Sequence, residues 1–285
     1  MIDLHTHTTA SDGRCSPAEL VARAAAAGVT VLSVTDHDTV EACEEAGQAC
    51  AAAGIGFVAG IEITAVRDEV DVHVLGYFLD PRSPELQAFL AEQRGRRIDR
   101  VRQMIARLDH LGLHLDADAV LGPAMAQPGK SIGRPAIARA LVAAGCVKDA
   151  NEAFAQWLSR GRPGFVARQG ATLDQVIGRI HGAGGVASLA HPGLLRRDEW
   201  ISDFVSCGLD AIEAYHTSHD AALTAHYRAM AQRLALGISG GSDYHADESH
   251  GAAYPGSVSL PADAFDQLRA RAASRATASG ARTSS

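Results

Sequence analysis

Ile2-Asp3-Leu4-His5-Thr6-His7 opens the chain, and its reading decides the fold. Ile2 to His5 reads as a short strand. His5 and His7 are two residues apart, so on an extended chain they point the same way. Ser16-Pro17-Ala18-Glu19 then announces a helix, with Ser as N-cap, Pro at the first helical position and Glu at the third. Gly28 stops it. Val29 to Thr35 is a β-rich run, followed by the polar loop Asp36-His37-Asp38-Thr39. A helix rich in Ala and Glu continues to Gly54. Phe57 to Ile63 reads as a third strand and Val70 to Tyr77 as a fourth. Strands separated by helices of this length predict parallel βαβ units.

From residue 81 the pattern changes. Ser83-Pro84-Glu85 opens a long helix with apolar positions Leu86, Phe89, Leu90, Ile98, Val101, Ile105 and Leu108, ending at Gly112. Further helical segments are expected at 134–144 and 149–160. Gly122 to Gly133, rich in Gly and Pro, reads as a loop. The β/α alternation returns when Thr172-x-x-Gln175 caps a helix ending at Gly184-Gly185. Val186 to Ala190, Ala211 to Tyr215 and Gly237 to Ser239 are the later strands. The expected organisation is a barrel in two parts, 1–80 and 164–271, with a helical insertion at 81–163 and a frayed tail at 272–285.

Strand ends carry the chemistry. His5 and His7 end the first strand, His37 follows the second, Glu62 ends the third, and His73 lies in the fourth. His191 closes the fifth, and Asp243 and His245 lie beyond the last, repeating the two-residue spacing. Asp12 sits in the first loop. In a β/α barrel these ends converge on one face. Six imidazoles and three carboxylates are too many for one metal. They suit two or three borderline divalent ions such as Mn²⁺, Zn²⁺ or Fe²⁺. Ca²⁺ or Mg²⁺ alone would prefer oxygen ligands. A lone histidine at a strand end is usually structural.

The same residues carry a family resemblance. His5-Thr6-His7-Thr8 with Ser11-Asp12-Gly13, Thr35-Asp36-His37-Asp38-Thr39, Gly60-Ile61-Glu62, His73-Val74-Leu75-Gly76, Ala190-His191-Pro192 and Ser242-Asp243-Tyr244-His245 resemble the polymerase and histidinol phosphatase (PHP) family. Asp12 resembles a subgroup of small phosphoesterases. Those enzymes hydrolyse nucleoside 3′,5′-bisphosphates and trim short 5′-phosphorylated oligoribonucleotides. The resemblance implies an α/β fold, a distorted seven-stranded TIM-like barrel, and a trinuclear centre. One metal would take His5, His7, Glu62 and Asp243, a second Glu62, His73 and His191, and a third Asp12, His37 and His245. Glu62, Asp243 and His191 are the expected catalytic residues, and a metal-bridging hydroxide would attack phosphorus. Asp36 and Asp38 flank His37 as expected supporting acceptors.

The substrate needs a further clamp. Lys130-Ser131-Ile132-Gly133-Arg134-Pro135 marks a helix start in the insertion, and similar family members have an Arg there near the phosphate. Arg134 is the first candidate, with Lys130 and Arg168 behind it. His216 and His219 follow the sixth strand as candidate substrate contacts. His110, His114, His181 and His226 fall on expected helices or turns and read as having no role in the site, and His250 is unassigned.

Composition narrows the class. The chain has 285 residues, a net charge of −7 and thirteen histidines. An acidic chain disfavours a nonspecific nucleic-acid coat, yet metals supply local positive charge for a phosphorylated substrate. Five scattered cysteines with no CxxC pair argue against disulfides and fit a reducing cytoplasm. No apolar run is long enough to span a membrane, the N-terminus has no signal-peptide pattern, and no protein partner is expected. The reading is a metal-dependent phosphoesterase acting on a small phosphorylated substrate: a nucleoside 3′,5′-bisphosphate or the end of a short oligonucleotide. The alternatives are a histidinol-phosphate or other metabolite phosphatase, an amidohydrolase on a related barrel, and a PHP module with decayed catalysis.

Overall fold

The structure is a computed structural model and describes residues 1–127, 129–247 and 251–282. His250 lies outside the described residues. Among the described residues seven strands lie side by side in sequence order: β1 (Ile2–Asp3), β2 (Val31–Val34), β3 (Gly56–Arg67), β4 (Val70–Tyr77), β5 (Val186–Leu189), β6 (Ala211–Tyr215) and β7 (Gly237–Gly240). The helices are α1 (Pro17–Ala26), α2 (Cys43–Ala53), α3 (Pro84–His110), α4 (Ala117–Ala126), α5 (Arg134–Ala143), α6 (Ala150–Ala153), α7 (Leu173–Gly182), α8 (Pro192–Leu195), α9 (Ile201–Ser206), α10 (Ala221–Arg233) and α11 (Ala262–Arg282).

β1, β2 and β3 pair in parallel, as do β5, β6 and β7. The ends of β1 and β7 close the barrel. Leu4 N donates to Gly240 O at 3.2 Å, and Asp243 N to His5 O at 2.8 Å. The buried Asp3 carboxylate accepts from Ser242 N, Ser242 Oγ and Gly256 N at 2.6–2.9 Å. A Cβ at Gly241 would collide with the His5 backbone, so the close approach of these two ends requires glycine.

Two expectations are corrected. β4 runs antiparallel to both β3 and β5, because Asp68 and Glu69 turn the chain directly with φ of 50° and 60° and leave no room for a helix. β4 therefore enters from the site end, which is why His73 sits in its first half. The stretch expected as loop from Gly122 is helical to Ala126. The Asp116 side chain caps α4 by accepting from Asp118 N and Ala119 N, and Leu121 and Ala124 are buried. α11 runs to Arg282. Ala272 is buried, and Arg275 donates to Asp210 at 2.8 Å.

α3 joins two cores. Its first half puts Leu86 and Leu90 into the barrel's outer layer with Ile61, Ile63, Val74 and Ile180. Its second half puts Val101, Met104, Ile105 and Leu108 into a separate cluster with Leu121, Ile137, Leu141 and Leu158 from the inserted helices. Truncating a leucine such as Leu108 to alanine there costs about 2–5 kcal/mol. One continuous helix therefore fixes the insertion over the barrel.

Candidate metal centre

The strand ends bring all nine expected ligand residues together. Glu62 is at the middle, 1% exposed. Its Oε2 lies 3.0 Å from His37 Nδ1, 3.3 Å from His7 Nε2 and 3.5 Å from His5 Nε2. Its Oε1 lies 2.8 Å from His73 Nδ1 and 3.0 Å from His191 Nε2. Asp243 Oδ1 approaches His5 Nε2 at 3.2 Å and His7 Nε2 at 3.3 Å. Asp12 lies 3.4 Å from His245, 3.7 Å from His37 and 3.8 Å from His7. Among the described residues, donor atoms within 4.8 Å of one another form four groups: His7 with Asp12, His37 and His245; His5 with His216 and Asp243; His5 with His7 and Glu62; and His37 with Glu62 and His73.

Several of these residues sit in strained backbone. Asp38, His191 and Asp243 have φ of 51°, 28° and 55°, in the left-handed region that favours glycine.

The electrostatics ask for cations. Burial alone would raise the Glu62 carboxyl, but His37, His73 and His5 outweigh it and hold it well below the usual range. Burial alone would lower His7, yet Asp243 and Glu62 pull it up to about 10. At His37 burial pushes the imidazole well below its ordinary value, against the pull of Glu62 and Asp12. Buried His5 Nε2, His7 Nε2 and His37 Nδ1 have no hydrogen-bond partner among the described residues, although each faces carboxylate oxygens. Buried polar atoms without partners are rare in folded proteins. Imidazole nitrogens aimed at shared carboxylates are the donor set of a borderline divalent ion, so these residues fit metal binding.

Glu213 was not visible as a site residue in the sequence. It is fully buried on β6, accepts from His5 Nδ1 at 2.9 Å and from His191 N at 2.7 Å. Asp36 accepts from Thr8 N, Thr8 Oγ1 and Ser11 Oγ at 2.5–2.8 Å, and so fixes the loop that carries Asp12.

The expected substrate contacts separate into three places. Arg134 and Arg168 belong to a cluster with Arg97 and Arg100 of α3, which the sequence did not single out. Arg97 and Arg168 face Asp38; Arg100, Arg134 and Arg168 lie 3.4–3.6 Å from Asp71. Four guanidiniums thus share two carboxylates. Burial and the neighbouring Arg97 both push Arg168 down. Buried Arg100 Nη2 and Arg168 Nε have no hydrogen-bond partner among the described residues.

Lys130 lies elsewhere, on a slot of about 560 Å³ bordered by Asp12, Leu115, Val120, Pro123 and Ser131. His216 is buried in the centre. Ser218 N donates to its Nδ1 at 3.0 Å, so a neutral His216 carries its proton on Nε2, 3.3 Å from Asp243 Oδ2. At His219, Nδ1 bonds Ala214 O at 3.0 Å and Nε2 accepts from Gly193 N at 3.1 Å, so both ring nitrogens are engaged by backbone. His110, His114, His181 and His226 each bond a nearby carbonyl or carboxylate.

A PHP domain matches residues 3–245. The chain belongs to the PHP family. Within that family it is 38% identical over 252 residues to a 3′,5′-nucleoside bisphosphate phosphatase from Chromobacterium violaceum, covering 86% of this chain and 87% of that one. It is 34% identical over 250 residues to the 5′-3′ exoribonuclease Rnm of Escherichia coli, covering 85% and 84%. Two solved structures each superpose with a TM-score of 0.84. One, described as an amidohydrolase from Chromobacterium violaceum with bound sulfate and no metal, is 36% identical and covers 95% of this chain and 96% of that one. The other, described as a metal-dependent phosphoesterase from Bifidobacterium adolescentis, is 32% identical and covers 94% and 95%. This PHP protein has no helix among its described residues long and apolar enough to cross a membrane.

Proposed function

We propose that this PHP protein is a metal-dependent phosphoesterase that hydrolyses a phosphate ester at a nucleotide terminus, with nucleoside 3′,5′-bisphosphates as its first substrate class. One observation carries the reading: a histidine–carboxylate centre around buried Glu62 lies beside a cluster of four arginines, of which Arg97 and Arg100 are buried. Asp71 joins them, lying against Arg100, Arg134 and Arg168 and two residues before His73. A substrate with two phosphates needs two anion sites of different chemistry.

His5, His7, Asp12, His37, Glu62, His73, His191, Asp243 and His245 would hold two or three ions of Mn²⁺, Zn²⁺ or Fe²⁺, with Glu62 shared between them. Bound divalent ions lower the pKa of water and neutralise charge that develops on phosphoryl oxygens. Glu62, Asp243 and His191 stand nearest that chemistry. His216 presents its Nε2 proton beside Asp243 and orients that carboxylate. Arg134 and Arg168 hold the second phosphate through paired N–H donors. The slot beside Asp12, with apolar walls and Lys130 at its edge, receives the nucleoside. The five cysteines are unpaired, which fits a reducing cytoplasm.

The test is phosphate release from adenosine 3′,5′-bisphosphate by the Mn²⁺-loaded protein. Glu62→Ala and Asp243→Ala serve as controls. Release no faster than in these variants rejects the reading.

A further inference from the structure

Asp38 and Asp71 balance the arginine cluster in different ways. Asp38 is fully buried. Its Oδ1 accepts from Thr64 N at 3.0 Å, its Oδ2 accepts from Arg97 Nε, and Arg97 Nη2 is tied in turn to Thr64 Oγ1. Backbone and side chain together make Asp38 a fixed part of the fold. Asp71 is 17% exposed, and the contacts of its carboxylate among the described residues are to guanidiniums alone. Arg100 Nη1 and Arg134 Nη2 lie 3.4 and 3.6 Å from Oδ2, and Arg168 Nε lies 3.6 Å from Oδ1. All three distances exceed the roughly 2.7–3.2 Å of a well-made N–H···O bond. Asp71 is thus a loosely held counterion.

Donors are left over. Arg100 Nη2 and Arg168 Nε are buried without a hydrogen-bond partner among the described residues. Buried N–H groups without an acceptor are costly, so the cluster favours a further anion. Four guanidiniums against two carboxylates leave a charge of +2. That matches the charge of about −2 on an ionised phosphate monoester. Arg134, 29% exposed, opens the cluster to solvent, and a phosphate entering there meets the same N–H groups that Asp71 faces. Asp71 also lies two residues before His73, on the same face of β4. A site with no internal carboxylate would hold the phosphate of substrate and product equally hard. Uniform binding of that kind lowers KM without raising kcat, and it slows product release.

We propose that Asp71 is an internal competitor for the second phosphate: it faces the guanidiniums of Arg100, Arg134 and Arg168, yields them to the phosphate, and so limits how tightly a phosphorylated product is retained. The proposal rests on the phosphoesterase reading above, with its second anion site, and deepens it. Asp38 holds the arginines in place, and Asp71 sets the strength of their grip.

The experiment titrates the Mn²⁺-loaded full chain with sulfate, a dianion of phosphate's shape, by calorimetry. Asp71→Asn is expected to bind sulfate on the order of tenfold tighter than the unmodified chain, the scale of one charged contact. Asp71→Ser removes the same charge with a smaller side chain and should show the same gain. Asp71→Glu restores the charge and should restore the weaker binding. Adding Arg134→Gln to Asp71→Asn should cancel the gain, which locates it in the arginine cluster and not at the metals. KM for adenosine 3′,5′-bisphosphate and the inhibition constant of the adenosine monophosphate formed from it should both fall in Asp71→Asn, by about the same factor as the sulfate Kd. A carboxylate that merely props the arginines apart predicts the opposite sign, because its loss would scatter them. Unchanged or weaker sulfate binding in both Asp71→Asn and Asp71→Ser therefore overturns the proposal, as does tighter sulfate binding with an unchanged KM. The sulfate titration needs no turnover. Phosphate release compared with Glu62→Ala, run on the same preparation, tests the phosphoesterase reading by itself.

Discussion

Glu213 Oε1 lies 2.9 Å from His5 Nδ1, with both side chains fully buried. A carboxylate can only accept, so the imidazole donates from Nδ1 and turns its Nε2 lone pair toward Glu62 and Asp243. Glu213 thereby fixes the tautomer that a metal requires. Its other oxygen accepts from the His191 backbone N–H, at a residue held in positive φ. Outer partners of this kind are typically worth 10–100-fold in metal affinity. Glu213→Gln is expected to weaken Mn²⁺ binding by about that factor, read by calorimetric titration. Excess Mn²⁺ should restore most of the phosphate release. Loss of activity at unchanged metal affinity would place the role of Glu213 elsewhere.

Metal removal should destabilise the fold. Glu62 and Asp243 are packed against the imidazoles of His5 and His7, whose Nε2 atoms have no hydrogen-bond partner among the described residues. An ion that binds only the native state at 100 times its Kd adds about 2.7 kcal/mol of stability. Mn²⁺ is thus expected to raise the melting temperature by several degrees, and a chelator to reverse the shift. In Glu62→Ala the increment should shrink by more than half, since five imidazoles converge on that carboxylate.

A variant of Arg134 tests the proposed division between two phosphate sites. It is 29% exposed, lies 3.6 Å from Asp71 Oδ2, and its guanidinium carbon is 5.9 Å from the Phe154 ring centroid. If it holds the phosphate that is not cleaved, Arg134→Gln should raise KM for adenosine 3′,5′-bisphosphate about tenfold, the loss of one charge-assisted contact. The change for p-nitrophenyl phosphate, which has one phosphate, should be much smaller. A parallel loss on both substrates would move Arg134 to the reacting phosphate.

Strand ends were legible because their chemistry is local. A histidine pair two apart, or Glu62 closing an apolar strand, announces itself in a few residues. Glu213 left a fainter signal: a single acid inside Ala211-Ile212-Glu213-Ala214-Tyr215 has to face inward or break the apolar strand. Arg97 and Arg100 left none. α3 also carries Arg94, Arg96, Arg102 and Arg107, and a helix so charged reads as a solvated face. Only tertiary packing against β3, where Arg97 Nη2 donates to Thr64 Oγ1 at 3.1 Å, buries two of them. The antiparallel β4 was hidden for a related reason. Asp68-Glu69 lacks the glycine that usually marks so tight a turn, so its positive φ was not foreseeable.

The far end of the barrel offers a stability test independent of the site. Asp210 begins β6 from the side opposite the metals, accepting from His181 Nε2 and Ala187 N at 2.8 Å and from Arg275 Nη2 at 2.7 Å. Burial would raise its carboxyl, but His181, Ala187 and Arg275 outweigh it and lower it. A carboxylate whose folded pKa is depressed stabilises the fold at any pH above its unfolded value, about 4 for Asp. The contribution fades as pH falls through the lower, folded value. Asp210→Asn is therefore expected to cost about 2 kcal/mol at pH 7, the scale of a lost hydrogen bond to a charged partner. The gap from wild type should narrow steadily below pH of about 4. Arg275→Ala should show a smaller loss with the same pH profile, because it removes only one of the three partners. Urea denaturation at pH 7 and pH 3 measures both, and a gap that stays constant between these values would mean that the ionised carboxylate is not what ties α11 to the barrel.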